Sequence, residues 1–402
     1  MKDVFIVDAV RTAIGNFGGT LAHVRVDDMA AHVIKVLMDR NNDVDYSEIE
    51  DVLMGCANQA GEDNRNIARM ALLLAGLPYT IGGETVNRLC ASGMAATINA
   101  ARAIAMGDGE IYITGGVEGM SRGPYVISKP TKAFGTDSKM YDSSFGWRFI
   151  NPKMQEMYGT EAMGETAENL VDKYQISREE QDKFAYWSQM KAKKAQESGR
   201  LAEEITPVTI PQRKADPIIF DKDEFIKPHT TLEVLAKLRP AFRKEGGSVT
   251  AGNSSGLNDG AAALLLMSEQ MVKKYNKKPL ARIVSSAIAG VEPRIMGIGP
   301  VYASQKALKR AGLSLNDMDI IEINEAFAAQ TLACLKEWKL DFDDERINPN
   351  GGAIALGHPL GMSGARILQT AAIELHKQNK RYALVTLCIG VGQGYATVIE
   401  RA

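Results

Sequence analysis

The sequence predicts an α/β protein of two similar halves with covered sheets and a long insertion. Three features lead there: apolar runs alternate with helix-periodic segments, the pattern recurs at an offset of about 270 residues, and residues 124–247 have a different texture. At 402 residues the chain also exceeds the usual single-domain size, so two or three domains with substantial cores are expected.

In chain order, "DVFIVDAV" (3–10), "DVLMGCA" (51–57), "EIYITGG" (110–116), "DIIEIN" (319–324) and "YALVTLCIG" (382–390) are short apolar runs bounded by turn residues, and they read as strands. Between them, "MAAHVIKVLMDR" (29–40), "SGMAATINAARAIAMG" (92–107), "SQKALKRAG" (304–312) and "GARILQTAAIELHK" (364–377) carry apolar residues at helical spacing. The repeat is visible directly. "SEIEDVLMG" (47–55) matches "NDMDIIEIN" (316–324), each an acidic turn running into a strand, and the helix-then-strand at 92–116 is echoed at 363–387. The segment 124–247 holds a Gly, Ser and Lys-mixed loop (128–147), the charged stretch 177–199 and a Pro-punctuated run (207–228). It reads as an insertion folded over the first half, of the kind that carries binding function. Taken alone, 177–199 reads first as a charged helix facing solvent.

Composition narrows the function. With 47 Lys and Arg against 49 Asp and Glu, the net charge of −2 gives no reason to expect nucleic acid or an anionic membrane. The longest apolar runs fall far short of the roughly 20 residues a span needs, and Asp3 and Asp8 interrupt the apolar start, so a cytoplasmic protein is expected. Four cysteines without a CxxC pair suggest neither a disulfide framework nor structural zinc; no metal is expected, and reduced thiols can react.

Cys90, in "NRLCASGMAA", directly precedes a helix. The positive end of the macrodipole there would stabilise thiolate and lower the thiol from about 8.5. A Cys in an Ala-rich stretch is also an ordinary small core residue, so its partners must decide. His358 lies in "GGAIALGHPLGMSGAR" (351–366), with five glycines in sixteen residues, and is either the base a nucleophilic thiol needs or a turn histidine beside Pro359. Cys388 ends a strand and enters "CIGVGQG", the counterpart of "TGGVEGM" (114–120) in the first half. Asn324, at a strand-to-helix junction, could cap the helix or hold a water that donates to an oxyanion. "VTAGNSSGLNDGAAALLLMSE" (249–269) is suited to a backbone-lined ligand groove, though no P-loop or dinucleotide fingerprint occurs there.

With these segments in view, the sequence resembles the thiolases, the acetyl-CoA acyltransferases. The match runs along essentially the whole chain, through "VDAVRTAIGNFGG", "VNRLCASGMAA", "GGVEGMSRGP", "TLEVLAKLRPAF", "VTAGNSSGLNDGAA", "NEAFAAQ", "GGAIALGHPLGMSGAR" and "CIGVGQG". The resemblance implies two duplicated βαβαβαββ halves in a layered αβαβα arrangement, with 1–123 and 248–272 as the first half, a loop domain over 124–247, and 273–402 as the second half. It implies Cys90 as nucleophile on the 3-keto carbon of a 3-oxoacyl-CoA, with its own N–H and that of Gly390 forming one oxyanion hole. His358 would activate Cys90 and, with a water held by Asn324, form a second. Cys388 would protonate the departing carbanion and then deprotonate CoA. CoA is a co-substrate, with no permanently bound cofactor. Ser255 matches the serine that contacts the pantetheine arm. Lys227 falls near a position that often holds an Arg for a CoA phosphate, though a surface lysine also explains it.

One departure bears on substrate. Biosynthetic acetoacetyl-CoA thiolases usually read "HMG" before "TAEN", whereas this chain reads "AMGETAEN" with Ala162. The segment 146–170 looks most like 3-oxoadipyl-CoA thiolases of aromatic degradation. Arg148 would then pair with the substrate's terminal carboxylate, unless it serves a structural salt bridge or the surface. Gly119 and Gly123 replace bulkier residues common in "GGVESMSRAP". The alternative is an acetoacetyl-CoA thiolase running Claisen condensation; a ketoacyl synthase, a Cys–His hydrolase and a non-catalytic CoA-binding protein fit less of the pattern. A homotetramer or homodimer is expected, with tetramer contacts around 124–147.

Overall fold

The computed structural model describes residues 2–402. Nine strands carry the main sheet: β1 (Val4–Thr12), β2 (Ile49–Gly55), β3 (Gly82–Val86), β4 (Ile111–Gly119), β5 (Asn258–Ser268), β6 (Ala281–Gly290), β7 (Ile320–Ile323), β8 (Tyr382–Ile389) and β9 (Gln393–Arg401). Their order is β7-β8-β9-β6-β1-β5-β4-β2-β3, and two short strands, Gly15–Asn16 and Ile205–Thr206, bring the count to eleven. Read outward from the centre the order is the same on both sides. β1, β5, β4 and β2 of the first half mirror β6, β9, β8 and β7 of the second, with two antiparallel pairings followed by one parallel pairing on each side. The halves join edge to edge where Phe5 faces Arg282 and Ile6 faces Ala281.

The strands read as unbroken apolar runs because both sheet faces are covered. In β5, Ala262, Leu264 and Leu266 enter a central core, while Ala261, Ala263, Leu265 and Met267 enter an outer core shared with Met29, Val33 and Ile34 of the Val26–Arg40 helix. In β8, Val385, Leu387 and Ile389 enter the same central core, while Leu384 joins an outer core with Val301, Ala307 and Leu332. The central core is filled by two helices, Ser92–Met106 and Leu360–Lys377, through Met94, Ala95, Ile98, Met362, Leu368 and Leu375. The layers therefore run helix, sheet, helix pair, sheet, helix. Each fully buried Leu or Ile contributes roughly 2 kcal/mol. Among the described residues one helical stretch, Leu89–Met106, is long and apolar enough to cross a membrane, and 61% of it is buried inside the protein.

The two middle helices meet at their N-terminal ends with almost no room between them. A Cβ on Gly93 would lie 2.6 Å from the Gly361 carbonyl oxygen, and one on Gly116 would lie 1.9 Å from that same oxygen. Only glycine permits this approach, and it sets the segment before each helix, Cys90 and His358, at one junction.

The segment between β4 and β5 spans both halves instead of folding over the first alone. The helices Met163–Tyr174 and Arg178–Glu197 and the turn between them bury Leu170, Ile176, Phe184 and Ala185 with the outer core of the second half. The second helix is therefore not a solvent-facing one: Phe184, Ala185, Ala192 and Ala195 are buried, and Ser188 and Gln189 beside them bond Glu325 and the Ile354 carbonyl. Toward the first half, buried Arg11 of β1 takes Asp223 in a two-pronged pair (2.7 and 2.9 Å) and Glu204 at 2.9 Å.

Candidate active site

Cys90 sits in the single turn Leu89–Ala91, ahead of the Ser92–Met106 helix. Leu89 adopts φ +48°, a left-handed conformation that a branched side chain disfavours, and its N–H donates to Asn87 Oδ1 at 2.9 Å. Ser92 locks the turn by accepting from Arg88 N and donating to the Leu89 carbonyl. Strain held by surrounding bonds next to a reactive side chain is the pattern of functional turns.

The thiol is not acidified as the helix position alone predicts. Burial pushes Cys90 up to about 11, while the N–H groups of Gly390 and of Cys90 itself, which face the sulfur, pull the other way. Desolvation outweighs the helix end because the thiol lies where the two halves close on each other. The same two N–H groups that face the sulfur are placed to receive an oxygen on a carbon bonded to it.

Gly390 ends β8 in the turn Gly390–Val391–Gly392, with Val391 at φ +63° and Gly392 at φ +83°. Cys388, two residues earlier, is buried and joins Ala167, Met296 and Phe327 in a small apolar cluster. Burial, then the nearby Cys90, raise its thiol well above the ordinary value.

His358 is buried in the turn before the Leu360–Lys377 helix. Its backbone N–H donates to Asn258 Oδ1 at 2.9 Å, its Nδ1 lies 2.6 Å from Ser363 Oγ, and its Nε2 lies 3.4 Å from Asn324 Nδ2. Ser363 donates its hydroxyl proton to the Pro359 carbonyl, so its oxygen accepts from Nδ1–H. That assignment makes Nε2 the acceptor, taking the long Asn324 Nδ2–H contact here and able to take a proton in its place. Burial, with Arg366 adding to it, lowers His358 to about 3, so the imidazole is neutral. Asn324 does not cap the following helix, whose N-cap is Phe327; its Oδ1 has no partner among the described residues.

Ser255 is brought beside this group, since its N–H donates to the Ala326 carbonyl at 3.0 Å and Ser254 bridges Phe327. Lys227 lies farther out, its ammonium 3.9 Å from the Phe225 ring centroid and its N–H on Gln189 Oε1. Arg148 forms no salt bridge among the described residues and bonds the Ser143 carbonyl and Asn58 Oδ1.

Three positioning residues escaped sequence reading: Asn258, Ser363 and Glu118. Glu118 accepts from the N–H groups of Ala57, Asn58 and Gly361, tying the start of the His358-side helix to the first half. Burial raises its carboxyl to about 7 against those donors. With Cys56 and Asp63 it forms a close buried trio, but both its oxygens are occupied by backbone donors. A lone acid within the glycines of "GGVEGM" was the signal available for it.

Comparison with known proteins gives the family of the chain. The thiolase N-terminal domain model matches residues 4–270 and the thiolase C-terminal domain model matches 277–401. The chain is similar to a beta-ketoadipyl-CoA thiolase of Escherichia coli, 56% identical over 401 residues and 100% of both chains. It is also similar to one of Pseudomonas aeruginosa, 57% identical over 400 residues, 100% of this chain and 99% of the relative. Among solved structures it resembles the Bacillus anthracis acetyl-CoA acetyltransferase, with a TM-score of 0.93 and 44% identity over 100% of this chain and 99% of that one.

Proposed function

The chain belongs to the thiolase family of acyltransferases, and from that membership we propose that it cleaves 3-oxoadipyl-CoA with free CoA, giving acetyl-CoA and succinyl-CoA through an acyl-Cys90 intermediate. The observation that carries the reading is the meeting of Cys90, Gly390, His358, Asn324 and Cys388 at the junction of the two halves. The choice of acyl chain rests on full-length relatives at 56–57% identity that are named for that substrate.

His358 Nε2 takes the Cys90 proton as the sulfur attacks the 3-keto carbon, so no isolated thiolate is needed in a site that disfavours charge. The N–H groups of Cys90 and Gly390 receive the oxygen on that carbon. The bond between the second and third carbons then breaks, and its electron pair passes to the departing acetyl-CoA as an enolate. His358, now carrying a proton on Nε2, and a water held by Asn324 receive the enolate oxygen; each such donor is worth roughly 3 kcal/mol. Cys388 gives its proton to the carbanion and next takes one from the CoA thiol. The CoA sulfur attacks the acyl group, and the Cys90 sulfur leaves and takes its proton back from His358. Claisen condensation is this path reversed. Ser255 and Lys227 serve the CoA arm and a CoA phosphate.

A homotetramer or homodimer fits two surface features. β3 is an edge strand with one free side, and the hairpin of Tyr125–Ile127 with Met140–Asp142 exposes Tyr125, Ile127 and Met140. A cytoplasmic location fits the composition.

The test supplies 3-oxoadipyl-CoA, acetoacetyl-CoA and longer 3-oxoacyl-CoAs with free CoA and follows acetyl-CoA release. Wild type should prefer 3-oxoadipyl-CoA and Cys90→Ala should be inactive. Turnover confined to acetoacetyl-CoA contradicts the substrate, and undiminished turnover in Cys90→Ala contradicts the nucleophile.

A further inference from the structure

Arg148 is a half-buried guanidinium held only by neutral oxygens. It donates from Nη1 to the Ser143 carbonyl at 3.2 Å and from Nη2 to Asn58 Oδ1 at 3.3 Å, and among the described residues no carboxylate pairs with it. Other arginines nearby are matched: Arg122 closes on Glu62, and Arg294 on Glu161. A partly desolvated cation is ordinarily paired, and a guanidinium has five N–H donors, so most of this fork stays free for a planar anion.

The frame around Arg148 leads to the reacting groups from two sides. Asn58 donates its N–H to Glu118 at 3.0 Å and its side-chain amide to Ser143 Oγ at 3.2 Å. The preceding carbonyl, of Ala57, accepts from Asn87 Nδ2 at 3.0 Å, and Asn87 in turn holds the N–H of Leu89, one residue before Cys90. On the other side Trp147 Nε1 donates to the Glu161 carbonyl at 3.2 Å. Two residues farther on, Met163 Sδ is 3.6 Å from where a Cβ on Gly390 would lie. Gly123 completes the frame. A Cβ there would lie 2.4 Å from Ser144 Oγ and 2.9 Å from Ser144 N, so its absence admits the Ser143–Ser144 turn that orients Arg148.

We propose that Arg148, oriented by Ser143 and Asn58, receives a carboxylate at the far end of the acyl chain and makes the enzyme select dicarboxylic 3-oxoacyl-CoAs over neutral ones. This rests on the thiolase reading of the site. A site built to bond a polar group discriminates strongly against the analogue that lacks it.

The test compares kcat/KM for 3-oxoadipyl-CoA with that for 3-oxohexanoyl-CoA, which has the same six carbons and ends in a methyl group. Wild type should favour the dicarboxylic substrate. In Arg148→Gln the ratio should fall roughly 30-fold, and in Arg148→Lys by less, because lysine keeps the charge without the fork. A wild-type ratio at or below one overturns the substrate reading, and the proposal with it. A wild-type preference that both variants retain overturns the role of Arg148 alone, whatever their absolute rates. Using the ratio separates selectivity from a general loss of folded enzyme.

Discussion

The ends of β4 and β8 occupy equivalent places in the two halves, and the chain leaves them in opposite ways. From β8 it turns back within Gly390–Val391–Gly392 directly into β9. From β4 it departs over residues 120–257 before returning as β5. The short turn is strained, with Val391 at φ +63°, and aims the Gly390 N–H at Cys90. The long excursion supplies Arg148, Met163 and Ser255. One copy of the repeat thus ends in a tight, strained turn beside Cys90, and the other in a long segment to which we assign the reading of the substrate. The division is physical: a three-residue turn has little freedom to lose, whereas a long insertion can be reshaped without moving the strands it joins.

If the second-half turn is the chemical one, its changes should cost the most. Cys388→Ser, which replaces a thiol by a far weaker acid of similar size, should lower kcat about 10³-fold in thiolysis, measured by acetyl-CoA release. Gly93→Ala tests the junction that joins the halves. Its Cβ would lie 2.6 Å from the Gly361 carbonyl oxygen, so it should destabilise by about 1–3 kcal/mol in thermal unfolding and lower kcat about 30-fold by separating Cys90 from His358. Val391→Gly removes the left-handed penalty. It should raise stability by about 1 kcal/mol while lowering kcat a few-fold, as the Gly390 N–H loosens. The smallest expected effect is one of pH. Burial lowers His358 to about 3, below an ordinary histidine near 6.5, so the neutral base persists as pH falls through 6.5. The kcat/KM profile should show no inflection there; an acid limb centred near 6.5 that moves in His358→Gln would contradict a neutral buried base.

Much of this was legible in the chain itself. Strands covered on both faces leave unbroken apolar runs, which is why "AAALLLM" and "YALVTLCI" stand out, and the repeat exposed the two halves. What escaped depends on contacts distant in sequence. The Cys90 thiol was read from its helix end, a local feature, but its acidity follows from burial between the halves. Asn258 stands 100 residues from His358 and bonds its backbone, and nothing local distinguishes it from a strand-end Asn. Ser363, five residues beyond His358, resembles any helical serine until the Nδ1 contact is seen. The charged helix over 178–197 was ambiguous because only Phe184 is a large apolar residue on its buried face, which is otherwise made of alanines and of polar residues such as Gln181, Asp182, Ser188 and Gln189.

The most direct test of the account mixes the enzyme with 3-oxoadipyl-CoA without free CoA, quenches the reaction, and maps the protein by peptide mass. One succinyl group on Cys90, with one equivalent of acetyl-CoA released per chain, is the predicted result. Acylation of Cys388 instead, or acetyl-CoA released only after CoA is added, would contradict it.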